Sequence, residues 1–347
     1  MWGRIKLIKK AMVMAAGVGS RLDPLTQNVP KPLVSVVNIP VMDILLQKLK
    51  NYGISQVIAN THYLADDIQK RYSENSPIDI EFNSIYEENL SGTAGGVKKC
   101  QFFFEDVDNF LVLSADGLHD APLDKIIQSH IESGCIATMA IASVAHEEVY
   151  KYGVVVPSQD NTVLEFQEKP SVEEAKSNYI NTGIYVFSKK IFDFIPENTM
   201  FDFAKNVFPA LMEAGIDINV FKIDCYWSDI GTLSQYVQSN WDALQGRVKT
   251  HNNELNHKSD SYYTIGSNCN IDSSVRFKGN VIVGDNCTLG KGVTLENVIL
   301  WNNTTVKDNV CLKNVVSSSN ACIFESLQGD GVFKIVTNDD RHVVLNV

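Results

Sequence analysis

The chain has 347 residues, a formal net charge of −11 and 44% hydrophobic residues. That is room for about two domains with a sizeable core, and the acidic balance argues against a nucleic-acid or anionic-membrane surface. Seven scattered cysteines with no Cys-x-x-Cys pair argue against zinc ribbons and thioredoxin-type redox sites, and fit reduced thiols in a cytosol.

Arg4, Lys6, Lys9 and Lys10 precede an apolar run, as in a secretory signal. The run, Ala11 to Ala16, is too short for one and is expected to be a buried strand instead. No run of 18 or more apolar residues exists, so no transmembrane helix is expected, and the expected location is cytoplasmic. Gly17-Val18-Gly19 and Ser20-Arg21-Leu22 follow the strand. Glycines after a strand let backbone N–H groups turn inward around an anion such as a triphosphate. Arg21 offers a bidentate fork to phosphate oxygens. Lys31, held between Pro30 and Pro32, offers a second, point-like cation. No Gly-Lys-Ser/Thr follows Gly17, which excludes a Walker A loop. The third glycine of a G-x-G-x-x-G fingerprint is also missing.

Met42, Leu45, Leu46, Leu49 and Tyr52 fall at helical spacing, with Gly53 as a stop. Strands are expected at Gln56 to Asn60 and Ile78 to Phe82, with a helix from Leu64 to Arg71 between them. That alternation implies βαβ units and a mostly parallel sheet, whose ligands gather at the carboxyl ends of the strands. Glu87 to Lys99 contains Gly92, Gly95 and Gly96. It reads either as a flexible surface loop or as a glycine turn that lets a nucleotide base approach. Phe110 to Ser114 is an apolar strand ending just before Asp116. A carboxylate there suits a magnesium ion, or simply caps a turn. His119, alone in a loop, is expected at the surface. Cys135 to Val144 is a further strand. Tyr152-Gly153-Val154, Glu168-Lys169-Pro170 and Asn181-Thr182-Gly183 each read, in isolation, as turns. Asp229 is a second carboxylate, more than a hundred positions after Asp116, and neighbouring Trp227 could be plain core. A closing helix is expected over Gln235 to Leu244, with Gly246 after it.

The run GVGSRLDPLT…VPKPL, together with GTAGG and Glu168-Lys169-Pro170, resembles the sugar-phosphate nucleotidyltransferases over roughly the first 245 residues. The spelling is most similar to bacterial mannose-1-phosphate guanylyltransferases with a hexapeptide tail. The resemblance implies a Rossmann-like α/β domain that joins a nucleoside triphosphate to a sugar 1-phosphate, with GTP and mannose 1-phosphate as the first expectation. Glucose 1-phosphate with UTP or dTTP is the alternative. It implies nucleotide contacts from Ala15, Ala16, Gly17, Gly19, Ser20, Arg21, Glu87, Gly92 and Thr93. Sugar-phosphate contacts would come from Lys31, Gly153, Glu168, Lys169, Asn181 and Thr182. Asp116 and Asp229 would share one Mg²⁺, and Arg21, Lys31 and the two aspartates would form the catalytic set. Ser91 before Gly92 and Ala115 before Asp116 depart slightly from the family spelling. A catalytically silent paralogue is the rival of another class, but all four of those side chains are retained.

From Ile265 a six-residue period appears. Ile265, Ile271, Phe277, Val283, Leu289, Leu295 and Trp301 form one apolar file. Cys269, Val275, Val281, Cys287, Val293 and Ile299 form another, with a slip of one residue after Trp301. This is the period of hexapeptide β-helices, with Gly284, Gly290 and asparagines at the corners. The expectation is a catalytic domain over 1–246, a polar linker over 247–263 and a left-handed parallel β-helix over 264–347 that assembles a homo-oligomer. Such helices also serve acyltransferases, which usually need a histidine base. None lies between Ile265 and Asn338, and His342 is beyond the repeats.

Overall fold

The computed structural model describes residues 8–74, 76–251, 255–258, 261–330, 332–338 and 342–345. Arg4 and Lys6 therefore lie outside the described residues. The chain forms two compact units. One comprises Met1–Val18, Pro30–Pro32 and Leu45–Asp229, and the other Gly19–Val29, Leu33–Ile44 and Ile230–Val347.

The first unit is an α/β structure around a nine-stranded mixed sheet. Its strands include β1 (Lys10–Met14), β2 (Gln56–Thr61), β3 (Glu81–Tyr86) and β4 (Asn109–Ser114). These four run parallel in the order β4-β1-β2-β3, as the alternation of strand and helix in the sequence dictates. In β4, β1 and β2 the buried residues form near-continuous apolar runs, such as Phe110-Leu111-Val112-Leu113, whereas the edge strand β3 is half-exposed to exposed along its length. β9 (Tyr179–Ser188) joins antiparallel to β4, and the rest of the sheet forms beyond it. β5 (Gly117–His119), β6 (Ala137–Ser143), β7 (Gly153–Pro157) and β8 (Val163–Glu168) precede it in the chain. β10 (Asn219–Ile223) and β11 (Trp227–Asp229) follow it, and β11 and β5 form a two-stranded sheet of their own. The expected strand at Ile78 to Phe82 lies later, at Glu81–Tyr86. The expected glycine turn at 92–96 is instead a helix, Gly92–Lys99. Its glycines serve close packing rather than looseness. A Cβ on Gly95 would stand 2.9 Å from the Thr199 carbonyl oxygen, and one on Gly96 would stand 2.6 Å from Asn60 Nδ2.

In the second unit, successive rungs of the hexad segment pair in parallel. Ser261–Ile265, Arg276–Val283, Thr294–Leu300 and Cys311–Ser317 line one sheet. Asn270–Ile271, Thr288–Leu289, Thr305–Val306 and Cys322–Ile323 line another. Val281, Val283, Cys287, Leu289, Val293 and Leu295 share one buried cluster, as the two files require. The slip in period comes earlier than the sequence suggests. Lys278 faces Glu296, but Val281 already faces Val298, so one residue fewer is used there. Val298 and Leu300 enter the cluster in place of Ile299 and Trp301. Asparagines 268, 286, 303, 309 and 320 take left-handed corners, which Asn tolerates better than most side chains. Gly284 and Gly290 are needed for stacking. A Cβ on either would sit 2.5 Å or 2.3 Å from the Asn302 or Asp308 side chain of the next rung. Tyr262 and Tyr263, assigned to the linker by their lack of period, lie in the first of these strands.

The helix Leu233–Leu244 packs within this second unit. Its Thr232 cap accepts from Gln235 N at 3.3 Å. Trp301 Nε1 donates to the buried Tyr236 hydroxyl at 2.8 Å, and Asn240 Oδ1 accepts from Val37 N at 3.0 Å. Tyr236→Phe would leave the indole N–H without its acceptor. We expect a loss of about 1–3 kcal/mol in urea unfolding with an unchanged m-value.

Candidate active site

Four parallel strands deliver their carboxyl ends to one edge of the sheet. β1 ends into Ala15-Ala16-Gly17, β2 ends at Asn60-Thr61, β3 runs into Glu87, and β4 runs through Ser114 to Asp116. This edge is where ligands bind in open α/β sheets. Ala15 and Ala16 are buried, whereas Gly17 is exposed with open space where a Cβ would point.

The two distant aspartates are brought to neighbouring segments, Asp229 in β11 and Asp116 in the turn just before β5. β11 pairs antiparallel with β5, setting Asp229 opposite Gly117, the residue after Asp116. The Lys31 ammonium is ion-paired with Asp116 Oδ2, and both side chains are mostly buried. The aspartate edge therefore already attracts a cation. Tyr152 OH donates to Asp229 Oδ1 at 3.2 Å, and its ring meets Trp227 edge-on at 5.6 Å. Among the described residues no group of three or more His, Cys, Asp or Glu side chains could hold a metal. A pair of carboxylates fits Mg²⁺, which usually keeps few protein ligands.

The sugar-side expectations gather around Tyr152. Lys169 N donates to the Tyr152 carbonyl at 3.1 Å. Glu168 Oε2 lies 3.2 Å from where a Cβ of Gly153 would be, and the Phe166 ring is closer still, so only glycine fits at 153. Glu168 and Lys169 are exposed, and Lys169 adopts φ 48. On β9, Asn181 Nδ2 donates to the Tyr185 hydroxyl at 2.7 Å and its Oδ1 accepts from Gly183 N at 3.1 Å. Burial pushes the Tyr185 hydroxyl far above its ordinary pKa, so it stays neutral. Thr182 is buried, its hydroxyl donating to the Ala140 carbonyl at 2.7 Å, while its own carbonyl accepts from Trp227 Nε1 at 3.1 Å. The Thr182 side chain thus faces the sheet.

Of the residues expected beside the base, Thr93 is exposed. Its hydroxyl donates to Asp202 at 2.8 Å and accepts from Phe203 N at 3.0 Å. Gly92 adopts φ +76, and a Cβ there would come 2.4 Å from the Phe201 carbonyl oxygen. Gly92→Ala should therefore cost about 2 kcal/mol or more, read as a lowered thermal midpoint. Glu87 is only 1% exposed. Burial opposes its ionisation, but hydrogen bonds from Ser91, Asn60 and Lys99 outweigh it and hold the pKa below the ordinary carboxylate value.

Gly19, Ser20 and Arg21 belong to the second compact unit. There Gly19 is left-handed, Ser20–Leu22 forms a 3-10 turn, and Arg21 is exposed. His119 corrects the sequence expectation. It is buried, pairs with Trp227 across β5 and β11, and its Nδ1 accepts from Ala121 N at 3.2 Å. Burial, then the Lys48 ammonium, hold its pKa well below the usual value. Asn60 and Tyr185 were missed by sequence reasoning as site residues. Each lies in a strand with no local signal, and only the fold shows what it touches.

A family model described as Nucleotidyl transferase matches residues 10–246. The chain belongs to the nucleotidyl transferase family. A second model, described as Bacterial transferase hexapeptide (six repeats), matches residues 262–297 of this nucleotidyl transferase family member. A UTP–glucose-1-phosphate uridylyltransferase from Synechocystis sp. is 33% identical over 317 residues, spanning 83% of this chain and 81% of that protein. The mannose-1-phosphate guanylyltransferase catalytic subunit beta of Xenopus tropicalis is 32% identical over 245 residues, spanning 70% and 66%. The crystal structure of HddC from Yersinia pseudotuberculosis superposes with a TM-score of 0.58 at 25% identity, covering 67% of this chain and 98% of that one. No described helix is long and apolar enough to cross a membrane.

Proposed function

We propose that the protein transfers a nucleotidyl group from a nucleoside triphosphate to a sugar 1-phosphate, giving a nucleotide sugar and pyrophosphate. The observation that carries this reading is the pairing of β5 with β11, in which Asp229 faces Gly117, the residue after the Asp116 that is ion-paired with Lys31. A sugar-phosphate oxygen attacks the α-phosphorus in line, the P–O bond to the β-phosphate breaks, and pyrophosphate leaves with the electron pair. The attacking phosphate is already ionised near neutrality, so no general base is needed. Catalysis is positioning and charge neutralisation.

In this reading the backbone amides of Ala15, Ala16, Gly17, Gly19 and Ser20 hold the triphosphate, and Arg21 neutralises the departing pyrophosphate. Gly92 and Thr93 border the base. Lys31 and Lys169 hold the α-phosphate and the sugar phosphate, and Lys31 exchanges its partner Asp116 for a phosphate oxygen when substrate arrives. Glu168, Gly153 and Asn181 face the sugar, and Thr182 contributes through its backbone. Asp116 and Asp229 would hold Mg²⁺, which when bound supplies charge neutralisation at the phosphates.

GTP with mannose 1-phosphate remains the first substrate reading, carried by the PKPL and GTAGG spelling. UTP or dTTP with glucose 1-phosphate is the second, UTP being favoured by the span of the Synechocystis relative along both domains. A matrix of nucleoside triphosphates against hexose 1-phosphates, read by pyrophosphate release, decides between them. Release in no well would favour a silent paralogue and end the catalytic reading. We assign the parallel rungs within residues 264–347 to a left-handed β-helix that assembles a homo-oligomer, after a catalytic domain over 1–246 and a linker over 247–263. The parallel pairing and the matching hexapeptide model support this. The last described strand, His342–Leu345, departs from that helix by pairing antiparallel with Phe333–Val336. The absence of a histidine from Ile265 to Asn338 weighs against acyl transfer. We place the protein in the cytoplasm, in keeping with its free cysteines.

A further inference from the structure

We infer that Glu87 does not touch the nucleotide but, with Asn60, is a positioning pair that sets both nucleotide loops of the first unit from one buried carboxylate. This rests on the reading of Ala15–Gly17 and Ser91–Thr93 as nucleotide-binding.

The geometry runs in two directions from Glu87. Its Oε1 accepts from Asn60 Nδ2 at 2.6 Å, and Asn60 Oδ1 accepts from Ala15 N at 3.1 Å. Ala15 is the first residue beyond the paired register of β1, which ends with Met14 opposite Asn60. Its N–H is therefore held by a side chain where the ladder stops. The other oxygen, Oε2, accepts from Ser91 N at 3.2 Å, from the Ser91 hydroxyl, and from Lys99 Nζ at 3.0 Å. Ser91 and Lys99 flank the first and last turns of the helix that starts at Gly92. Both carboxylate oxygens are thus engaged, and the side chain is sealed from solvent.

A third observation is independent of these bonds. Gly96 of that helix has no room for a side chain, because a Cβ would stand 2.6 Å from Asn60 Nδ2 and 3.1 Å from Glu87 Oε1. The glycine makes space for the pair itself. A buried, fully bonded network of this kind specifies one arrangement of the segments it joins.

The test exchanges the two polarities. Asn60→Asp sets two carboxylates against each other. Glu87→Gln turns an amide donor toward other donors on one side or the other. In the double variant N60D/E87Q the amide introduced at position 87 donates to the carboxylate introduced at position 60. That carboxylate still accepts from Ala15 N, while the amide oxygen at position 87 serves Ser91 and Lys99. The net charge is unchanged. Leaving a buried donor without its acceptor weakens function by about tenfold or more. We therefore expect KM for the nucleoside triphosphate to rise about tenfold in each single variant. KM for the sugar 1-phosphate should move less than about threefold, and the double variant should recover to within about threefold of wild type. Circular dichroism and thermal melts confirm that each variant is folded at the assay temperature. Where a single variant does not fold, Gly96→Ala replaces it, with the same expected split between the two KM values. Equal rises in both KM values, or a double variant no better than the worse single, overturn the proposal. If wild type releases no pyrophosphate from any pair, the catalytic reading has failed. The same variants are then read by calorimetric titration with GTP and UTP in the presence of magnesium. Unchanged Kd in Asn60→Asp, or no binding to wild type, overturns the positioning role as well.

Discussion

Asp116→Ala should lower pyrophosphate release by about a thousandfold or more while leaving the fold intact, because it removes one of the two carboxylates that would hold the proposed metal. Asp116 stands just beyond the end of β4, outside the paired strands. The structural cost is confined to its bond with Lys31, whose mostly buried ammonium loses a partner. We expect that to lower unfolding stability by about 1 kcal/mol. A coupled pyrophosphate assay and a thermal melt separate the two effects. Asp229→Ala should give a loss of similar size. Because both aspartates would hold one ion, the double variant should lose little beyond either single change. Turnover within about tenfold of wild type in Asp116→Ala, with the fold intact, would retire the metal assignment. Independent, multiplying losses would show that the two carboxylates serve separate purposes.

Arg21→Lys should reduce kcat by about a hundredfold, although the charge is kept. A guanidinium offers a planar fork that can grip two oxygens of a leaving pyrophosphate, and an ammonium cannot. The turn that presents Arg21 is firmly built. Leu22 is fully buried, Leu22 N donates to the Gly19 carbonyl at 2.9 Å, and the Thr26 hydroxyl donates to the same oxygen at 2.9 Å. The exposed Arg21 side chain can therefore be changed without disturbing the loop. The loss should fall on kcat more than on KM for the sugar 1-phosphate, since the charge on the leaving group develops in the transition state. A variant within about threefold of wild type would remove Arg21 from the catalytic set.

The residue string by itself determined the elements whose cause is local. Apolar runs gave the strands ending before Gly17 and Asp116, because a strand buried on both faces needs continuous hydrophobicity. The six-residue period marked the stacked rungs, because each rung must repeat the same inward positions. Even there, the early slip to Val298 depended on pairing between rungs, and the helix at Gly92–Lys99 read as a loop because its glycines answer to Thr199 and Asn60 rather than to their neighbours in sequence. Only the tertiary structure set Asp229 against the strand that follows Asp116, turned the Thr182 hydroxyl into the sheet, buried His119, and tied Glu87 through Asn60 to Ala15. Those facts depend on which distant strands become neighbours. That choice is made by the packing of the whole sheet, and no short stretch of residues encodes it.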